Sequence, residues 1–149
     1  MAAISFEQLG LNEDILKAIS EQGYNQPTDV QIDGIPAILA GRDVHAGAQT
    51  GTGKTAAFAL PILQKLSSKA SESKAPRALI LTPTRELAAQ VHENIKSYGR
   101  YLDLRSTVIY GGASMKSQMT KLAQGQDIII ATPGRLLDHI SQQTLDLSQ

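Results

Sequence analysis

The segment Ala48-Gln49-Thr50-Gly51-Thr52-Gly53-Lys54-Thr55 carries residue types, in an order, that suit phosphate chemistry. Gly51 and Gly53 let the backbone bend until consecutive N–H groups point at phosphate oxygens, Lys54 adds a positive charge at the outer phosphates, and Thr55 supplies a hydroxyl for magnesium. The generic pattern G-x-x-x-x-G-K-[ST] is met except at its first position, where Ala48 stands. A glycine-rich turn without a ligand is the plainer alternative, but an intact G-K-T between an expected strand and an expected helix favours phosphate. Such a loop works with an acid at the carboxyl end of a neighbouring strand, which holds magnesium through water and helps to activate the attacking water. The expected strands run instead into Thr82, Gly111 and Thr132, while Glu13-Asp14 falls in a helix and Asp127 at the opposite end of its strand. Taken alone, the chain is expected to bind a nucleotide and to lack hydrolytic chemistry.

Placing that loop requires a strand before it and a helix after it, and the hydrophobic spacing supplies both. Short β-branched runs alternate with longer segments of helical period, the pattern of a parallel α/β sheet. Strands are expected at Val44 to Ala48, Ala78 to Leu81, Thr107 to Tyr110 and Ile128 to Ala131, mostly parallel through right-handed crossovers. The spacing predicts a first helix from about Asn12 to Gln22 with Gly23 as terminator and a second from Thr28 to near Gly41. A last helix starts near Thr132 and runs through Leu136, Leu137 and Ile140. Leu87, Val91 and Ile95 should pack one helix on the sheet, and Met115, Met119 and Leu122 another. His92 and His139 are expected to face solvent, and Asp138 to carry a surface charge or pair locally. Ser67 to Pro76, S-S-K-A-S-E-S-K-A-P, reads as a flexible surface loop within one domain spanning 1–149, whose last residues are expected to lead out of an unfinished fold.

Composition narrows the partners. The chain has 149 residues, enough for one core, with 14 basic and 14 acidic side chains, so no overall basic field draws in nucleic acid and any such contact is local. It has no cysteine, which excludes disulfides, thiol catalysis and thiolate zinc sites and suits a reducing cytosol. His45, His92 and His139 form no metal-ligand spacing. No apolar run is long enough for a bilayer, and the N-terminus lacks a basic start before an apolar stretch, so no membrane partner is expected and the default location is cytoplasmic. Aromatics at 4% argue against a sheet face that stacks several bases.

Five short motifs occur in one order: G-Y-N-Q-P-T-D-V-Q at 23–31, A-Q-T-G-T-G-K-T at 48–55, P-T-R-E-L at 83–87, Gly111-Gly112, and T-P-G-R at 132–135. Together they resemble the DEAD-box RNA helicases, in the style of the bacterial members. The resemblance covers essentially the whole chain from Phe6 onward, spacers such as Ile35-Pro36, Gly41-Arg42-Asp43 and Leu136-Leu137-Asp138 included. It implies an α/β, RecA-like P-loop fold, the first of two such domains, ending here before the strand that closes in D-E-A-D.

The resemblance also implies roles for single residues. ATP with magnesium would sit on Gln49, Thr50, Gly51, Thr52, Gly53, Lys54 and Thr55, with Lys54 and Thr55 serving catalysis and Thr55 the metal. Gln31 would read the adenine edge and Tyr24 stack on the ring, with Phe6 nearby. Gln31 also stands in a T-x-x-Q capping box, so it can simply turn back to a helix start, and the two roles are compatible. Phe6 is equally well a core aromatic. Pro83, Thr84 and Arg85, with Gly111, Gly112, Thr132, Pro133, Gly134 and Arg135, would grip the sugar-phosphate backbone of single-stranded or duplex RNA without reading bases.

Thr82-Pro83-Thr84-Arg85 and Thr132-Pro133-Gly134-Arg135 share one construction, in which a strand ends, a threonine can cap and a proline opens a helix. Capping is therefore their plainer reading, and a tight turn that of the glycine pair. The activity implied is ATP-dependent unwinding of short RNA duplexes, completed by a second RecA-like domain. The alternative is a nucleotide-binding module without turnover; another P-loop ATPase, such as a DNA helicase, fits G-Y-x-x-P-T and T-P-G-R less well. A sheet lacking its next strands would have an open edge, inviting a dimer or a strand swap.

Overall fold

The computed structural model describes residues 4–44, 53–68, 75–142 and 145. They fall into two compact units, one drawn from Met1–Lys69 and Ser97–Asp103, the other from Ala70–Lys96 and Leu104–Gln149.

The first unit is helical. After a 3₁₀ turn at Phe6–Leu9, Asn12 caps helix α1 (Glu13–Glu21) by accepting from the Ile15 amide at 2.9 Å. The same residue ties α1 to helix α3 (Lys54–Ser67), since its own amide donates to Gln64 Oε1 at 2.7 Å and its Nδ2 to Ser67 Oγ at 3.0 Å. Ser67 is thus the last residue of a helix rather than the first of a loop, its hydroxyl donating to the Gln64 carbonyl. Helix α2 (Asp29–Leu39) starts at Thr28 and is followed by Gly41 at φ 84°. It packs closely on α3, where a Cβ on Gly34 would reach Ala57 Cβ at 3.7 Å. Phe6, Leu9, Ile15, Ala18, Ile19, Ile35 and Leu60 are buried in this unit. Gly23, at φ 84°, follows α1 as the spacing predicts. Of the expected strand Val44 to Ala48, only Val44 lies among the described residues.

The second unit is a parallel sheet of β1 (Ala78–Leu81), β2 (Ser106–Ile109) and β3 (Ile128–Ala131) in the order β1-β3-β2, with Ala78 and Ser106 both opposite Ile128. Central β3 is buried at every position, as a parallel strand covered on both faces must be. Expected strand bounds hold at β1 and β3. β2 is displaced by one residue: Ser106 pairs with Ile128, and the Tyr110 carbonyl beyond the strand accepts from Gln118 Nε2 at 3.0 Å.

Each strand feeds a helix: α4 (Arg85–Tyr98), α5 (Met115–Ala123) and α6 (Pro133–Ser141). On α4 the inward positions include Ala88, Val91 and Ile95, whereas Leu87, in the first turn at the sheet's carboxyl edge, is 39% exposed. On α5 Leu122 is buried as expected, but Gln118 is buried too while Met115 and Met119 are half-buried. The expectation that both helical histidines face solvent fails. His139, three residues after buried Leu136 on α6, is fully buried, and His92 is half-buried with Nε2 3.3 Å from the Ser106 carbonyl.

Candidate functional site

Gln49, Thr50, Gly51 and Thr52 lie outside the described residues, so the phosphate loop is seen at its final glycine. Gly53 has φ 84° and stands at the N-cap of α3, which opens with exposed Lys54 and half-buried Thr55. The neighbouring element is the start of α2. There Gln31, 3% exposed, accepts from the Thr28 amide at 3.0 Å through Oε1 and donates from Nε2 to the Gly53 carbonyl at 3.1 Å. The capping box is therefore formed, and the same amide is also bound to the phosphate loop. These two bonds fix which end of the amide is which and use one of its two donors and one of its two acceptor sites. They also dictate glycine at 53, because a Cβ there would collide with Gln31 Nε2 and meet Thr28 Oγ1 at 3.1 Å, besides needing a positive φ.

The aromatics expected at this site divide. Tyr24 is 37% exposed; its ring packs against Tyr98 with centroids 5.8 Å apart, and the two hydroxyls are 2.8 Å apart. Burial and the bond to Tyr24 push the Tyr98 hydroxyl well above the usual tyrosine range. Phe6, 4% exposed, packs inside the first unit.

In the second unit, three parallel strands followed by three helices bring the N-termini of α4, α5 and α6 to one edge of the sheet, the end of each helix that favours anions. The two loops of similar sequence start their helices differently. In the first, Thr82 is buried and its hydroxyl donates to the Thr84 carbonyl at 3.2 Å, and Thr84 Oγ1 accepts from the Leu87 amide at 3.1 Å. The cap is thus Thr84, two residues beyond the strand-end threonine expected to cap, because Pro83 precedes rather than opens the helix. In the second, Thr132 is the N-cap residue in extended backbone, its side chain making no cap bond, and Pro133 is the first helical residue.

Pro83, Thr84, Arg85, Gly111, Gly112, Pro133 and Gly134 are exposed at this edge. Arg85 lies over the Tyr110 ring at 5.6 Å, and its Nη1 stands 2.8 Å from where a Cβ on Gly112 would be. Gly112 has φ 84°, so the turn geometry calls for glycine there, whereas the exposed arginine tip could swing aside. Arg135 is half-buried: its Nη1 donates to the Ala113 carbonyl at 3.1 Å and to Gln118 Oε1 at 3.2 Å, and its Nε is 3.7 Å from Asp138. Asp138 pairs locally, as expected. Gln118 and His139 are the residues that spacing did not single out. The available signal was position, since Gln118 stands three after Met115 and four before Leu122, on the face read as apolar.

Among the described residues, no group of three His, Cys, Asp or Glu side chains could hold a metal ion. No described helix is long and apolar enough to cross a membrane.

The chain is 48% identical over 149 residues to the ATP-dependent RNA helicase DeaD of Mycobacterium tuberculosis, covering 99% of this chain and 26% of that protein. It is 47% identical over 146 residues to the DeaD helicase of Escherichia coli, covering 97% and 23%. It thus spans about a quarter of the length of these curated relatives. Among solved structures, a DEAD box protein from Methanococcus jannaschii superposes with a TM-score of 0.87 at 41% identity, covering 96% of this chain and 38% of that one. A hypothetical ATP-dependent RNA helicase from Sulfolobus tokodaii gives 0.82 at 43% identity, covering 93% and 39%. The α/β architecture with a small parallel sheet is therefore that of the DEAD-box RecA-like domain. Residues 28–149 match the DEAD/DEAH box helicase family, which takes in the phosphate loop and every loop at the carboxyl edge of the sheet, and the chain belongs to that family.

Proposed function

We propose that this chain binds ATP with magnesium through its first unit and the sugar-phosphate backbone of RNA through its second, as part of an ATP-dependent RNA helicase. The carrying observation is the Gln31–Gly53 hydrogen bond, which joins a buried, orientation-fixed amide to the last glycine of the phosphate loop. An amide with one donor and one acceptor still available suits the edge of adenine. Lys54 then serves the outer phosphates and Thr55 the magnesium. Tyr24, exposed beside Tyr98, offers a ring face for the base. At the carboxyl edge of the sheet Arg85 and Arg135 supply the cations, Thr84, Pro83, Thr132, Pro133 and Gly134 the helix starts, and Gly111-Gly112 the close approach. These groups meet phosphates rather than base edges, so the expected RNA affinity is sequence-independent and falls with salt.

A second reading, binding without turnover, is favoured by the strand ends. None of the three described strands runs into an acid; Thr82, Tyr110 and Thr132 follow them. Turnover then depends on a carboxylate that the D-E-A-D strand of the first domain would bring and on an arginine that a second RecA-like domain would bring.

Titration of a fluorescent adenine nucleotide, with released phosphate followed in the same samples, tests both. Lys54→Ala should weaken binding at least tenfold, and Gln31→Ala should cut the preference for adenine over guanine by roughly 5- to 150-fold, the worth of a bidentate base contact of about 1–3 kcal/mol. Equal affinity for the two bases in the parent chain would sink the role given to Gln31.

A further inference from the structure

Gln118 has no place in any of the five motifs, yet it is 7% exposed on a helix face whose other inward residue is Leu122. Burying a primary amide is unfavourable unless its hydrogen bonds are made, and here they are. Nε2 donates to the Tyr110 carbonyl at 3.0 Å, while Oε1 lies 3.2 Å from Arg135 Nη1 and 3.0 Å from His139 Nε2. The pairing has one consistent assignment. A carbonyl can only accept, so Nε2 faces Tyr110; Oε1 therefore faces the two donors, and His139 carries its proton on Nε2.

The two carbonyls that flank the glycine pair are those of Tyr110 and Ala113. Gln118 holds the first, Arg135 holds the second, and Gln118 and Arg135 hold each other. The Gly111-Gly112 turn is thereby pinned at both ends by a closed set of bonds reaching from α5 to the first turn of α6. Arg85, at the start of α4, lies on the ring of Tyr110 with its Nη1 close to Gly112. One amide therefore ties together the groups that follow β2 and β3, and Arg85, after β1, meets the same turn through the Tyr110 ring.

We propose that Gln118 is a positioning residue for the RNA grip, holding the Gly111-Gly112 turn and Arg135 in register, a role that rests on reading this edge as an RNA-backbone site. A residue that only filled the core would affect stability and leave RNA affinity per folded molecule alone. Gln118→Met keeps the length and the packing and removes every hydrogen bond. Gln118→Glu still accepts from Arg135 and His139 but cannot donate to Tyr110.

The test measures affinity for a single-stranded homopolymer RNA oligonucleotide by fluorescence anisotropy, with adenine-nucleotide affinity read on the same samples as the mark of a folded chain. Gln118→Met should weaken RNA binding about tenfold with nucleotide affinity held within twofold, and Gln118→Glu should fall between it and the parent. Combining Gln118→Met with Arg135→Met should lose no more than the larger single loss, since contacts within one network are not additive. RNA binding within twofold of the parent in either folded single variant, or losses that multiply in the double variant, would overturn the proposal. If Gln118→Met fails to fold, Gln118→Glu decides by the same criterion. A parent chain that binds nucleotide but no RNA would overturn the RNA-backbone reading itself, an outcome separate from a failure at Gln118.

Discussion

At Gln31 one side chain serves two elements, since its oxygen caps α2 at Thr28 and its nitrogen reaches the Gly53 carbonyl. The two bonds can be separated by Gln31→Glu. A carboxylate still accepts from the Thr28 amide, and its charge is favourable at a helix start. It cannot donate to Gly53, and it sets a negative charge beside a loop built for phosphate. The expected outcome is a loss of about 1 kcal/mol in stability, the net worth of one hydrogen bond, with nucleotide affinity at least tenfold weaker. Urea denaturation and nucleotide titration read the two effects, and undiminished affinity would show that the amide nitrogen plays no part in the site. The T-x-x-Q spacing made the cap legible in the sequence, because capping is a contact over three residues. The bond to Gly53 spans twenty-two residues and was not, because no local period reports which loop a buried amide will meet.

Among the elements, the strands of the second unit are joined at their amino ends by Asp127. Its Oδ1 accepts from Arg77 Nη2 at 2.9 Å and Nε at 3.2 Å, and its Oδ2 from the Arg105 amide at 3.0 Å. Its backbone also accepts from the Arg77 amide at 2.8 Å and donates to the Arg105 carbonyl at 2.9 Å. One residue before β3 thus fixes where β1 and β2 begin, which matters because a parallel pair gets no register from a hairpin turn. Asp127→Ala should cost about 1–3 kcal/mol, the range for losing hydrogen bonds to a charged group, and leave nucleotide affinity in the first unit within twofold. A denaturation midpoint equal to the parent's would show that the backbone ladder alone sets the register. From the sequence Asp127 reads only as an acid at the end of its strand unsuited to magnesium, and nothing in spacing announces its structural use. The bounds of β1 and β3, by contrast, were legible, because β-branched runs such as Ile128-Ile129-Ile130 are short and end in turn residues.

For the molecule as a whole, zero net charge leaves pH dependence to individual groups in strongly altered surroundings. Two histidines are of that kind. Burial, reinforced by Lys96, lowers the pKa of His92, and burial, reinforced by Arg135, lowers that of His139. In the unfolded chain each takes up a proton near pH ~6.5, while the folded chain resists. The unfolded state then binds more protons, so the stability contributed by the neutral imidazoles is fully present above pH ~6.5 and is lost as pH falls toward the lowered folded values. The loss is at most about 1.4 kcal/mol per pH unit for each extra proton bound on unfolding. Urea midpoints should therefore fall between about pH 7.5 and 5.5, the fall beginning where the unfolded histidines titrate. His139→Gln, which retains an amide donor toward Gln118 Oε1, should flatten part of that dependence even if it lowers stability at pH 7.5. His92→Gln should flatten a further part, and a parent profile level across this interval would show that both rings are as easily protonated folded as unfolded. Helical spacing placed these residues on helices but pointed them to solvent, which the structure overturns. Their burial follows from acceptors that the fold supplies at long range, the Ser106 carbonyl for His92 and Gln118 for His139.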